Sequence, residues 1–318
     1  MRKTIYKSFI FIALLFCTDS ILGIAFDYLF ENGKGGNSYT QNYIANKCNE
    51  DVIIYGSSRA NHHYIPRILE DTLRLSSYNC GTDGTGIITM YGRHNMIKKR
   101  QTPKIVIYEL TKEFDISKND NVKYLKYIKV FAGNEKIDSI IKSVDRNEYI
   151  KLKCNTFRYN SQIFSLFSNY LVSSIIGDKG YSALKDVMNY EPEKPMNNAG
   201  ITVDNLKLSY LEKFILENKD CSKLIFCISP TYYKTDINEY KAALDLCKKY
   251  GVVVYEHLND TTFIGKKEYF KDAYHLNDKG ATIYTKIIAQ KIKELLQSTN
   301  HPCDKTNECM QTGFNIHL

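Results

Sequence analysis

The sequence predicts an α/β protein in which five parallel strands form one sheet with helices on both faces. Three observations lead there. Short apolar runs rich in Val, Ile and Tyr alternate with longer helical patterns over most of the 318 residues, the rhythm of strand–helix–strand units. The runs are apolar at successive positions, not at every second one, as in strands covered on both sides. The last helical pattern aligns Ile283, Ile287, Ile288, Ile292, Leu295 and Leu296 on one stripe, which is the mark of a core-facing helix.

The first 30 residues stand apart. Arg2, Lys3 and Lys7 precede the apolar run "SFIFIALLFCTDSILGIAFDYLF" (8–30). A basic flank followed by such a run directs export with the amino terminus left in the cytoplasm. Gly23 and Ala25 would suit a signal peptidase, but the run is long enough to cross a bilayer despite Asp19, which favours a retained anchor. The Gly/Asn-rich "ENGKGGNSYTQN" within 31–50 reads as a linker. Its glycines match neither a phosphate loop nor a dinucleotide fingerprint.

From Asp51 the elements follow in order. "VIIY" (52–55) is the first strand and ends in glycine. A helix over 65–75 has Pro66 near its start, where the missing N–H costs nothing. "SSYNCG" is a second strand, "GIITMYGRHNMIKKR" a helix, and "KIVIYEL" (104–110) a third strand. The rhythm breaks over about 115–200, which reads as a helical insertion with apolar patches such as 161–176, a surface able to take an envelope-assembly partner. It resumes with a helix at 204–219, a strand at 223–229 that ends at Pro230, and a helix with Ile237, Tyr240, Leu244 and Cys247 on one face. "GVVVYEH" is the fifth strand, and the domain is read as 51–300 with a loose tail at 301–318.

Composition narrows the function classes. The net charge of +8 is spread through Lys-rich helices and loops without a dense basic stripe, so no nucleic-acid partner is expected. Among nine cysteines, Cys80, Cys227 and Cys247 fall in apolar stretches and read as core residues. Cys303 and Cys309 could bridge in an oxidising compartment. No spacing fits zinc, and neither a metal nor a cofactor is expected.

Ligands of an open parallel sheet bind beyond the carboxyl ends of its strands. That rim should carry Ser57 and Ser58 after the first strand, Gly81–Gly86 after the second, and Glu109–Glu113 after the third. A nucleophilic serine needs a base, a group orienting the base, and donors for the oxyanion. "KDAYHLNDKGA", just before the last helix, supplies Asp272 and His275 three residues apart. One short turn can hold that carboxylate against one imidazole nitrogen and leave the other for the serine. Asn277 or Asp278 would cap the helix that follows.

The pairing of "IIYGSSR" with "DAYHLNDKG" resembles the SGNH/GDSL hydrolases, over about residues 50–297. The resemblance implies a flavodoxin-like three-layer α/β/α sandwich that acts on acyl esters, often acetyl groups on sugars. It implies Ser58 as nucleophile, His275 as base and Asp272 as orienting acid, with the backbone N–H groups of Ser58 and Gly84 holding the oxyanion. Where the family has an Asn side chain in its third block, Glu113 stands nearest, and an ionised carboxylate cannot donate. Asn61, Arg93 and Asn95 are the candidate substitutes. Arg59, His63 and Asn95 are further taken as substrate-binding, and Arg158 as a solvated charge.

The expectation is thus an extracytoplasmic, membrane-anchored serine esterase, in the periplasm or outside, acting on an acylated glycan. An O-acyltransferase would use the same triad. A non-catalytic binding or assembly protein would keep the fold without turnover.

Overall fold

The computed structural model describes residues 2–160, 162–173, 177–193 and 202–300. In chain order its helices and strands are α1 (Arg2–Glu31), α2 (Gly36–Asn46), β1 (Val52–Gly56), α3 (Ser58–His63), α4 (Pro66–Leu73), β2 (Ser77–Asn79), α5 (Ile87–Lys98), β3 (Ile105–Glu109) and α6 (Lys112–Asp115). These are followed by α7 (Glu135–Val144), α8 (Arg146–Lys151), α9 (Ile163–Leu171), α10 (Asn205–Asn218), β4 (Lys223–Ile228), α11 (Lys241–Lys249), β5 (Val253–Glu256) and α12 (Asp278–Asn300).

The chain divides into two compact units. One comprises Met1–Cys48, Gly92–Lys99 and Asp120–Ile176; the other comprises Asn49–Tyr91, Arg100–Asn119 and Gly177–Leu318. The second holds the sheet, with strand order β2-β1-β3-β4-β5 and every pair parallel. β1, the start of the fold, lies between β2 and β3, so the strand order reverses there. That is the place where such sheets leave a crevice at their carboxyl edge.

Successive side chains of each strand face opposite ways, and the apolar runs supply both layers. Val52, Ile54, Ile105, Ile107, Ile225 and Cys227 pack with Leu69 of α4 and with Tyr284, Ile288 and Ile292 of α12. On the other face, Tyr55 and Tyr108 set their rings against Phe214 of α10, with centroids 5.5 and 5.2 Å away. The two-sided apolar pattern read from the sequence is therefore the three-layer sandwich itself.

The helical unit has its own small core of Phe26, Phe30, Val130, Tyr159 and Leu166. By length and composition α1 can cross a membrane.

Two expectations are corrected. The 31–50 segment is not an unstructured linker: Gly36–Asn46 is helical, with Gln41, Ile44 and Ala45 buried. Its low apolar content concealed a helix that tertiary packing sustains. The insertion is also shorter than 115–200. Residues 120–176 group with the amino-terminal helices, but residues 177–193 return to the sheet unit. Asn79 N–H donates to the Lys179 carbonyl at 2.9 Å, and Met188 N–H to that of Phe270 at 2.8 Å. Cys80, Cys227 and Cys247 are buried free thiols. The Cys303–Cys309 pairing and the 301–318 tail lie outside the described residues, as do 161 and 174–176 of the 161–176 patch.

Candidate active site

The nucleophile candidate is placed by the turn from β1 into α3. Gly56 has φ +142°, and a Cβ there would lie 2.7 Å from the Glu109 carbonyl oxygen and 2.9 Å from the Ala60 Cβ. Only a residue without a side chain lets β1 turn this tightly beside β3. Gly56→Ala is expected to lower unfolding free energy by about 1–3 kcal/mol, read in urea titrations; an unchanged midpoint would refute this account. The buried Ser57 hydroxyl ties the turn to the loop after β3, with Oγ 2.7 Å from Thr111 Oγ1. Ser58, the first residue of α3, is left half-buried with its hydroxyl available.

The partner loop precedes α12. Lys271 N–H donates to the His275 carbonyl at 2.8 Å, and Tyr232 N–H to that of Ala273 at 3.0 Å. Asn277 Oδ1 accepts from Gly280 N–H at 3.0 Å, which makes Asn277 the helix cap. Asp272 Oδ1 accepts the backbone N–H groups of Tyr274 and His275 at 2.8 and 2.9 Å.

These two segments, 217 residues apart, bring Ser58 Oγ to 2.7 Å from His275 Nε2. His275 Nδ1 lies 2.9 Å from Asp272 Oδ2 and 3.0 Å from Oδ1. A carboxylate only accepts, so Nδ1 carries the proton and Nε2 offers its lone pair to the serine hydroxyl. Burial works to raise the Asp272 carboxyl, but its bonds to His275 and the two backbone N–H groups prevail and hold it below its usual 3.8. A serine, an oriented imidazole and a fixed anion in this order can abstract and return a proton.

Beside Ser58, His275 and Asp272 stands a pair that sequence reading did not assign. His62 Nδ1 donates to the Ser182 carbonyl at 2.6 Å and Nε2 faces Asp83 Oδ2 at 3.2 Å. Both nitrogens thus meet acceptors, the pattern of an imidazolium. Burial pulls its pKa down, yet Asp83 and the Ser182 carbonyl outweigh burial and leave it above 6.5. Asp83 also accepts from Asn61 Nδ2 at 2.8 Å. The His62 and His275 ring centroids are 5.9 Å apart. With its folded pKa raised, His62 adds stability below about pH 6.5 that is lost as pH rises through the folded value. An NMR titration should therefore place the His62 midpoint above 6.5, and Asp83→Asn should lower it; a midpoint below 6.5 in the wild type would contradict the pairing. The sequence signal was faint, since Ser182 is remote and Asp83 sits in a glycine-rich turn.

Two residues read as substrate-binding are sealed in the core instead. Arg59 Nε donates to Ser229 Oγ at 3.0 Å and NH1 to Tyr240 OH at 3.1 Å, while NH2 pairs with Glu109 Oε1 at 3.2 Å. His63 accepts the Leu276 N–H at Nε2 (2.9 Å) and donates from Nδ1 to Ser229 Oγ (2.7 Å). Burial first, and then the positive charge of Arg59, push the His63 pKa well down, so the ring is neutral. Asn95 is buried in the helical unit, and Arg93 of the same unit has its guanidinium 5.8 Å from the Tyr127 ring centroid. Arg158 also belongs there, 3.6 Å from Asp27, and is paired where a solvated charge was expected.

Glu113, the expected oxyanion antagonist, is 52% exposed with its carboxylate 3.9 Å from Lys112 Nζ. Its carbonyl, not its side chain, is bonded inward, accepting Lys207 Nζ at 3.1 Å. Gly84 has φ +67° with open space where a Cβ would stand, so its backbone is approachable. Among the described residues no group of three His, Cys, Asp or Glu could hold a metal ion.

No protein-family model matches the chain, and neither does any curated protein. Solved structures of similar fold include a Streptococcus pneumonia protein described as a platelet activating factor, at 12% identity over 82% of this chain and 90% of that one, TM-score 0.41. Another is the acetyl xylan esterase AlAXEase, at 11% identity over 77% and 98%, TM-score 0.38. A lipolytic protein assigned to the G-D-S-L family from Desulfitobacterium hafniense DCB-2 is 11% identical over 76% and 98%, TM-score 0.34. The likeness is one of fold.

Proposed function

We propose that the protein is an extracytoplasmic serine esterase that removes O-acyl groups, chiefly acetyl, from a glycan. The observation that carries this reading is the unbroken relay from Ser58 Oγ through His275 to Asp272. Ser58 Oγ attacks the ester carbonyl while His275 Nε2 takes the hydroxyl proton, and Asp272 stabilises the imidazolium. The backbone N–H groups of Ser58 and Gly84 receive the oxyanion. Collapse expels the sugar hydroxyl, protonated by His275, and leaves an acyl-serine. Water, deprotonated by the same imidazole, then frees the acid and restores Ser58.

The glycan ester is the substrate class that the motif resemblance implies. Tyr274, 47% exposed and adjoining His275, supplies a ring against which a pyranose face can pack. Export is supported by α1 with its basic flank at Arg2, Lys3 and Lys7. A fluorophosphonate probe should label the wild type at Ser58 and leave Ser58→Ala unlabelled. Equal labelling of both would end the proposal.

A further inference from the structure

The nine-residue helix α9 turns most of its apolar side chains outward. Phe164 is 93% exposed, Phe167 48% and Leu171 74%, spaced three and four apart on one face. Only Leu166 is sealed, in the cluster with Phe26 and Phe30 of α1. In water, three such side chains on one short helix are a persistent cost.

What covers them is indicated by what adjoins them in the same unit. α9 packs beside the carboxyl half of α1, whose own outer residues Ile21, Ile24 and Tyr28 are 67%, 70% and 55% exposed. The two faces belong to neighbouring helices. At the far end, Tyr28 and Tyr170 meet with centroids 6.0 Å apart, and Lys34 Nζ lies 5.5 Å from the Tyr170 ring. Tyrosines with a lysine where an apolar surface ends are the usual furniture of a membrane boundary.

The charged residue within the apolar segment is treated as such a location requires. Asp19 accepts from Cys154 Sγ (2.9 Å), Asn155 N (2.8 Å), Asn155 Nδ2 (3.2 Å), Thr156 N (3.0 Å) and Thr156 Oγ1 (2.7 Å). A carboxylate supplied with donors by its own protein can approach lipid; one left bare cannot.

We infer that α9 is a second membrane contact, its outer face set into the apolar margin of the bilayer that α1 spans. The helical unit is then a lipid-seated base. The inference rests on α1 remaining in the membrane.

The chain has no tryptophan, so single introduced tryptophans report their surroundings without background. Full-length Phe164→Trp, Leu171→Trp, Phe11→Trp (in α1) and Leu216→Trp (46% exposed on α10 of the sheet unit) would be reconstituted in phosphatidylcholine–phosphatidylglycerol vesicles, with and without brominated acyl chains. Emission at 164, 171 and 11 should fall roughly twofold or more with bromolipid while that at 216 holds. Quenching at 11 alone would overturn the inference and leave the anchor standing. Emission at 164 and 171 shielded from acrylamide yet blind to bromolipid would also overturn it, pointing to a protein on that face. No quenching at 11 would remove the anchor and the inference together.

Discussion

Ser58→Ala should lower kcat for p-nitrophenyl acetate by about 10⁵–10⁶-fold with little change in KM, because only the attacking atom is removed. His275→Ala should cost about as much, since a serine hydroxyl without its base is inert near neutrality, and the double variant should be no worse than either single one. Asp272→Asn should lose on the order of 10⁴-fold. The amide can offer its N–H to the imidazole, which reverses the tautomer and turns a proton toward Ser58. Since the Asp272 carboxyl lies below 3.8, its ionisation imposes no loss of rate until the pH falls below that value. A uniform loss under tenfold across these variants would show that the contacts at 2.7 and 2.9 Å are structural, and that the turnover, if any, resides elsewhere.

The strands were legible because burial on both faces leaves no choice of residue: "VIIY", "KIVIYEL" and "KLIFCIS" have nothing polar to turn outward before their ends. The site was legible for a related reason. Ser58 and the Asp272–His275 turn adjoin structural punctuation, the first just after a strand ending at Gly56, the second just before a helix capped by Asn277. Their chemistry is thus tied to positions that the fold itself marks.

The direction a polar side chain takes was not legible. Arg59 and His63 flank the nucleophile in sequence, and proximity suggested a role toward substrate. On a helix, though, neighbours point to different sides. Arg59 and His63 turn inward to Glu109 and Ser229, whereas His62, between Asn61 and His63, turns to Asp83. Their partners come from β3, from the end of β4 and from the turn after β2, and nothing local announces them. Glu109 in particular is expected on the open rim at the end of the third strand, yet it is fully buried. The same holds for α2, a helix whose Gly- and Asn-rich sequence predicts none.

The buried Arg59–Glu109 pair should be the most costly interaction to break in the sheet unit. Glu109 accepts Ser229 N–H and Ser229 Oγ–H at 2.9 and 2.6 Å as well as the Tyr64 hydroxyl. Burial pushes its carboxyl up while Arg59, Ser229 and Tyr64 oppose. Arg59→Met strands that carboxylate, and the loss of a partner from a buried pair costs about 3–5 kcal/mol, a large share of the 5–15 kcal/mol typical of a domain. Urea unfolding should show it. Arg59→Met with Glu109→Gln removes both charges and should recover much of the loss, since the amide oxygen still accepts from Ser229. Catalysis should register the same change. Ser229 Oγ accepts from His63 Nδ1, and His63 Nε2 accepts the N–H of Leu276, the residue after His275. A shift in that chain moves the imidazole, so Arg59→Met should reduce kcat even at temperatures where the variant is fully folded, with KM less affected. Unaltered kcat in the folded variant would limit the network to holding the core together.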